Sequence, residues 1–579
     1  MRIKHFFGLA VIAAMTASCS SNNDLVNGGG NGSSENETGV GYATLSINLP
    51  TTNGTRAAGD PDFKPGDANE YDVKDVTLLI FKEAGKSEND YTFVETADLG
   101  TMAPWVKDDG TTGITTAATI TAKLDKVDLT SKYYALVILN NKDKDNALKV
   151  KMPSPDQTYS KWNDAANAKN LVDNTNGFYM ANAPEFTAAN TEPTTLVKID
   201  QIYATKQAAE TNKATTIHVE RGMAKVTVAS FPSLVPTGTK YNNDKVDITA
   251  WNLDVTNKST FPIHKTTGLN SPFTTIWSAS EEAAPSTGRF VDGTNTAFKR
   301  VYWGVDPNYD KDYTEVSDCK NEFTLLEANA AITGDAATPQ YCLENTFDIK
   351  HMLQGQTTRV VFKAKYTPKG FNDSETFYKI GNNTAIWKEA DLKQQIKTVA
   401  LTAMGITDAK EQKKYDVDLT KGTNISGKAG QHLIVAENIT YNPGEGTSEG
   451  EGTSKVDTKV VKTINEKLGL SDAAGISTYL NGEAYYIARI KHFGDVLTSW
   501  SEGNDTYGNN DVEHNNKYLG RYGVLRNNWY ELKVQSVSGP GTPDVPTIKP
   551  TDPDDENYTY ISVSVKILDW AKRSQDVNL

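Results

Sequence analysis

Cysteine is scarce in this chain, three residues in 579. One of them, Cys19, ends an N-terminal leader; Cys319 and Cys342 remain as one candidate disulfide, and two thiols define no framework of bridges. Histidine is thin as well, seven scattered residues, so Cys/His metal sites lack ligands and no metal is expected. Internal apolar runs fall short of the roughly 20 residues that a bilayer-crossing helix requires. Basic charge is in deficit, 59 Lys and Arg against 73 Asp and Glu, and a net charge of −14 argues against a nucleic-acid partner. Nucleophile elbows, phosphate loops and zinc-helix patterns are missing, so the chain is expected to be no enzyme and to need no cofactor. Oxygen ligands alternate from Asp306 to Asp312 as in a calcium loop. Lys311 stands where that loop needs Gly, and Ser317 where it needs Glu, so the segment reads as a solvated acidic loop.

What is present begins with a leader. Arg2, Lys4 and His5 precede an apolar stretch over 6–14, and Thr16-Ala17-Ser18-Cys19 closes it with small residues, the pattern of a secretory signal. Cys after Ala-Ser is similar to a bacterial lipobox, with Cys19 as the acylated residue and Thr16 in the place usually held by Leu. The alternative is an ordinary signal peptide with an incidental Cys. A Gly/Asn/Ser-rich spacer follows over 20–38.

Two short segments then carry the period-two alternation of a strand with one buried face. Near the start, Ala43, Leu45, Ile47 and Leu49 share a face, and Pro50 stops the run before a turn-rich loop containing Arg56 and Ala57. At the end, Ile561, Val563, Val565 and Ile567 alternate with Ser562, Ser564 and Lys566. Ahead of that last strand lies a proline-rich stretch with Pro540, Pro543, Pro546, Pro550 and Pro553. Polyproline geometry, at about 3.1 Å per residue, would let such an arm reach roughly 60 Å. A strand on a long stiff arm suggests a subunit that completes its neighbour's fold. The plain alternative is a strand folded back on the edge of its own domain.

Between these ends, further strands are expected over 73–81, 133–139, 216–219, 225–229, 246–255, 300–303, 358–366, 398–404, 484–490 and 529–537, with a helix over 455–468. Trp251, Trp303 and Trp529 read as core anchors, and 141–195 as loops and short helices. The expected fold is mainly β: two Greek-key-like β-sandwich domains with a few short helices and long loops. The expected divisions are a signal peptide over 1–19, a spacer and first strand over 20–56, sandwiches over 57–235 and 236–538, and a tether with its strand over 539–579.

Five segments taken in order resemble the fimbrillin family of Bacteroidales, the type V pilins. They are Val219-Glu220-Arg221-Gly222-Met223-Ala224-Lys225-Val226, Tyr341-Cys342-Leu343-Glu344-Asn345-Thr346, Thr357-Thr358-Arg359-Val360, Ala484-Tyr485-Tyr486-Ile487 and Tyr522-Gly523-Val524-Leu525-Arg526-Asn527-Asn528-Trp529-Tyr530. The tail, ending Ile567-Leu568-Asp569-Trp570, is most similar to that of the minor-fimbrium stalk subunit. The resemblance implies export as an outer-membrane lipoprotein acylated at Cys19, then cleavage by an arginine-specific protease after Arg56, leaving Ala57 as the mature N-terminus. It implies that Ala43, Leu45, Ile47 and Leu49 leave with the removed strand. The donor strand carrying Ile561, Val563, Val565 and Ile567 would fill the gap in another copy. The implied partners are copies of the chain, fimbrial anchor and tip subunits, and the protease; the implied location is a surface fimbrium serving adhesion and biofilm. The competing reading is a fimbrial tip adhesin or a surface glycan-binding lipoprotein.

Overall fold

The computed structural model describes residues 40–50, 67–100, 106–107, 114–185, 193–266, 301–308, 311–347, 351–381, 383–428, 430–444, 456–492, 518–554 and 561–568. Cys19, Arg56 and Ala57 lie outside the described residues.

The first half is one curled sheet. Its strands are β1 (Gly41–Pro50), β2 (Val76–Lys82), β3 (Thr92–Gly100), β4 (Val106–Lys107), β5 (Ile114–Leu124), β6 (Tyr133–Leu139), β7 (Met180–Asn182), β8 (Val197–Lys198) and β9 (Thr215–Arg221). They are ordered β3-β2-β6-β7-β9-β1-β5-β4, with β8 beside β6, and β3 comes back near β5. Apolar side chains of β1, β2, β5, β6 and β9 fill the inside. The unbroken apolar runs of β2 and β6 have a second reason. Leu78, Ile80, Ala135, Val137 and Leu139 face that inside, while Leu79, Phe81, Leu136 and Ile138 face an outer layer with Tyr159, Trp162 and Tyr179. Strands buried on both faces need no polar alternation. The polar stretch over 141–195 supplies much of that outer layer, including the short helix α1 (Tyr159–Trp162). Helix α2 (Lys206–Thr211) lies against β1.

Past Gly222 the chain leaves this sheet for a second body of sheets. Strand β10 (Ala224–Val228) already belongs to the second body, where it pairs in parallel with a strand some 300 residues later in the chain. The elements that follow are β11 (Ser233–Leu234), β12 (Lys245–Asp254), β13 (Thr256–Asn257), α3 (Val316–Glu322), β14 (Phe323–Thr324), β15 (Gln340–Cys342) and β16 (Arg359–Thr367). After an inserted module come β24 (Glu483–Arg489), β25 (Trp529–Val537) and β26 (Ile561–Leu568). Sheet β15-β10-β25-β26 packs on sheet β11-β12-β16-β24. Val226, Val228, Tyr530 and Leu532 meet Val246, Trp251, Val360, Phe362 and Tyr486 between them. This is a two-layer β-sandwich, and the structure as a whole is mainly β.

The module inserted between β16 and β24 holds β17 (Phe377–Ile380), β18 (Ile386–Trp387), α4 (Glu389–Met404), α5 (Ala409–Gln412), β19 (Tyr415–Val417), β20 (Thr423–Asn424), β21 (Gln431–Leu433), β22 (Ile439–Tyr441), α6 (Thr458–Leu468) and β23 (Ile476–Tyr479). It has its own core, with Leu392, Ile396, Ala400 and Ile464 from the helices. Here the strand expected over 398–404 is overturned, because those residues are the second half of α4. Leu392, Ile396 and Ala400 repeat every four residues on one buried stripe, and Gly405 closes the helix in the left-handed conformation at φ 70°. The expected helix is α6, where the Asp457 carboxylate accepts from the Val460 N–H. Of the strand expected over 300–303, Val301 makes a single bridge.

Candidate assembly site

Strand β1 is interior to its sheet. It pairs antiparallel with β5 over ten positions, Gly41 opposite Leu124 and Leu49 opposite Thr116. On its other side it runs parallel to β9, Leu45 opposite Thr215 and Asn48 opposite His218. Ala43, Leu45 and Ile47 are fully buried and Leu49 is 1% exposed. The opposite face is covered as well: Thr44 shares a hydroxyl hydrogen bond of 2.8 Å with Thr121, and Asn48 is buried. Strands β5 and β4 join the rest of the sheet's hydrogen-bond path through β1. Withdrawing β1 would therefore leave facing rows of unmet backbone groups on β5 and β9, an opening shaped for one strand.

Strand β26 sits differently. It pairs antiparallel with β25 at eight positions, from Trp529 opposite Leu568 to Val537 opposite Ile561, across a bulge at Gln535. It is the edge of its sheet, so one row of its backbone groups is bonded and the other has no strand beside it among the described residues. The plain alternative weighed from the sequence, a tail folded back on its own domain, is what this conformation of the molecule contains.

The free arm expected over 539–557 is corrected. Residues 539–554 lie along the second sandwich, with Val545 in a small cluster on the outer side of β12, β16 and β24 and Ile548 in another with Val255, Tyr313, Cys319 and Phe323. Several of its carbonyls are taken by donors of the sandwich. Tyr486 Oη donates to Gly539 at 3.0 Å and Tyr479 Oη to Gly541 at 2.9 Å. Arg359 donates to Pro546 at 2.6 Å and Arg489 to Asp554 at 3.2 Å. Thr542 and Tyr485 exchange backbone hydrogen bonds of 2.8 Å. A Cβ on Gly541 would run into the Tyr485 carbonyl, which explains the glycine there. Proline keeps this segment extended without a helix or ladder, while side-chain donors and apolar contacts fix it in place.

Cys319 and Cys342 are free thiols, each buried in a different cluster, so the candidate disulfide is not made. Burial pushes both thiols up, Cys319 to about 11 and Cys342 to about 12. Asp306 is no solvated loop residue. It is 2% exposed and accepts from Asn257 Nδ2 at 2.5 Å, from the Asn308 N–H at 2.9 Å and from the Thr346 N–H at 3.3 Å. Burial raises its carboxyl to about 7. Lys311 Nζ instead pairs with Glu322 at 2.7 Å.

Sequence reasoning missed the junction between the two halves, although its motifs were in view. Glu70 is fully buried and meets Lys225 Nζ at 2.5 Å, while Tyr341 Oη donates to it at 2.8 Å. Lys225 also stands 3.9 Å above the Trp529 ring. Arg221 Nε donates to the Glu70 carbonyl at 2.8 Å, and burial lowers its guanidinium to about 10. Asn527, at φ 58°, donates from its N–H to Met223 and accepts from Arg221. Close by, His264 Nδ1 is 2.9 Å from Glu220, and Arg526 Nε is 3.5 Å from Glu344. A Cβ on Gly222 would strike Tyr179 at 2.6 Å. Asn345 bonds both ways with Val524 and accepts from the Thr358 N–H. The segments around Arg221, Asn345, Thr358 and Asn527, far apart in sequence, thus converge on one seam.

Residues 477–576, which run from β23 past β26, match the family described as major fimbrial subunit protein type IV, fimbrillin, C-terminal. Over these residues the chain is similar to the fimbrillins. No curated protein sequence matches the chain. Among solved structures, a candidate cell adhesion protein of Parabacteroides distasonis ATCC 8503 is 10% identical, covering 92% of this chain and 98% of its own, with a TM-score of 0.38. A candidate cell adhesion protein of Bacteroides eggerthii DSM 20697 is 12% identical over 93% of this chain and 98% of its own, at 0.32. A fimbrial assembly protein of P. distasonis ATCC 8503 is 11% identical over 38% and 65%, at 0.22. Scores of this size add nothing to the fold, which rests on the strands and cores themselves.

Proposed function

We propose that this chain is a structural stalk subunit of a surface fimbrium, exported as a lipoprotein through Cys19, cut after Arg56 and polymerised by strand exchange. The observation that carries the reading is the contrast between the two strands. β1 holds two ladders inside a sheet, ten positions with β5 and four with β9, whereas β26 holds one ladder of eight at an edge. A strand that left the edge of β25 and entered the vacated place of β1 would exchange one row of partners for two. At about 1 kcal/mol net per hydrogen bond, the added row favours transfer by a few kcal/mol. Its four alternating Val and Ile residues suit the apolar inside that Ala43, Leu45, Ile47 and Leu49 now fill. Cleavage after Arg56 cuts β1 from the chain that follows it, so that its release is no longer tied to the body.

The test is direct. Precursor treated with an arginine-specific protease should yield a new N-terminus at Ala57 and SDS-resistant ladders. Arg56→Ala should remain uncut and monomeric, and deletion of 561–570 should be cut yet form no ladder. Ladders from the deleted protein would overturn the reading.

A further inference from the structure

The assembly reading leaves open how much of the tail moves. We infer that residues 539–554 are a fixed strut, that the tail pivots just after Asp554, and that the receiving copy docks closely against this end of the second sandwich. The inference rests on the reading of β26 as the donated strand. Its independent ground is the fastening of the strut, which is densest at its far end. Asp554 is fully buried; its carboxylate accepts from Thr357 Oγ1 at 2.8 Å, its carbonyl from Arg489, and its N–H donates to Met352 at 3.2 Å. Pro553 bridges Leu353, and the Gln354 N–H donates to Asp552 at 2.9 Å. Arg359 is tied at once to Asp254, at 2.7 Å, and to the Pro546 carbonyl. Lifting the strut would take the Pro546 and Asp554 carbonyls away from two buried guanidiniums, part the Asp554 carboxylate from Thr357 and uncover Val545 and Ile548. β26, by contrast, is held by one ladder at an edge. The two parts of the tail therefore differ in the cost of release, and the weak part is the part that is given away.

A geometric consequence follows. From Asp554 to Ile561 is seven residues, which span at most about 25 Å when fully extended. The opening beside β5 and β9 in the receiving copy must then begin within that distance of Asp554. A roughly 60 Å arm would tolerate loosely spaced subunits; this one demands contact, with the surface around Asp552 and Gln354 facing the neighbour.

Two disulfide locks test it in the full-length protein. Leu353→Cys with Pro553→Cys pins the strut at its last bridge. Lys533→Cys with Ser564→Cys pins β26 to β25 at an opposed pair whose Lys533 is exposed. Each variant is cleaved and assembled in oxidised and reduced form, so that the reduced sample controls for folding. The expected result is ladders at wild-type yield from the oxidised strut lock, and none from the oxidised strand lock until reductant is added. If the oxidised strut lock also stays monomeric and reduction releases it, the strut swings and the inference is overturned while strand exchange stands. If both oxidised proteins assemble, β26 is not the donated strand and the underlying reading fails.

Discussion

Lys225 and Glu70 form a fully buried ion pair that joins the two halves, with Tyr341 and the Trp529 ring closing its remaining sides. Truncating Glu70 removes the buried counter-charge of Lys225 and leaves it the exposed Asp67 carboxylate at 3.6 Å, at a cost of about 3 kcal/mol. Glu70→Ala should therefore lower the denaturation midpoint strongly, whereas replacing an exposed pair such as Lys462 and Glu466 should change it by under about 1 kcal/mol. Asp306 gives a pH dependence. Its folded carboxyl titrates near 7, above the ordinary carboxylate value, so between about 4 and 7 the folded state holds a proton that the unfolded chain has released. Its contribution to stability is complete at low pH and is lost as pH rises through that window. Asp306→Asn cannot titrate there, so its stability-against-pH slope over 4–7 should be less negative by up to one proton, about 1.4 kcal/mol per pH unit. Denaturant midpoints at pH 4.5, 6 and 7.5 read the difference, and parallel curves would show that Asp306 stays ionised. Neither role was legible in the sequence. Asp306 stands among other acidic residues, and only burial beside Asn257 and Thr346 separates it from a solvated loop.

At the scale of elements, the sequence was a good guide wherever a strand carried its own pattern. β1, β6, β16, β25 and β26 lie where alternation or a dense apolar run placed them. It failed at α4, where Thr398, Val399 and Leu401 favour a strand locally but belong to a helix whose buried stripe begins upstream at Leu392. It failed again over 539–554, since five prolines state that the chain is extended and say nothing about what it lies against. The proposed strand exchange makes separate demands on the two elements. Leu45→Ala removes a fully buried side chain from β1 and should destabilise the uncut precursor by about 2–5 kcal/mol. Val563→Asp should abolish ladders, because a charge cannot enter the inside of the sheet unpartnered, and should also lower the precursor's melting, since position 563 stands opposite Val534 of the sandwich core. Loss of precursor folding with Val563→Asp would show that β26 is needed by its own domain.

For the whole molecule, the arrangement is an interior strand, β1, that the proposed cleavage would free and an edge strand, β26, early and late in the sequence respectively. Hydrogen exchange should report both in one experiment. In the precursor, amides of β1 should exchange slowly, because β1 is bonded on both sides, and those of β26 faster. After cleavage and assembly β26 should become the slow one, while amides of the strut, such as Val545 and Asp554, should keep their protection throughout. The sequence by itself determined the ingredients: an apolar N-terminal stretch followed by Cys19, two strands of like alternation, a turn-rich loop with Arg56, and an extended proline-rich segment. Those properties are local, written in residue type and spacing. The tertiary structure decided that β1 lies between 114–124 and 215–218, that distant motifs meet at one buried seam, and that the strut is fastened down to Asp554. Such choices depend on which surfaces meet across hundreds of residues, and no local period encodes them.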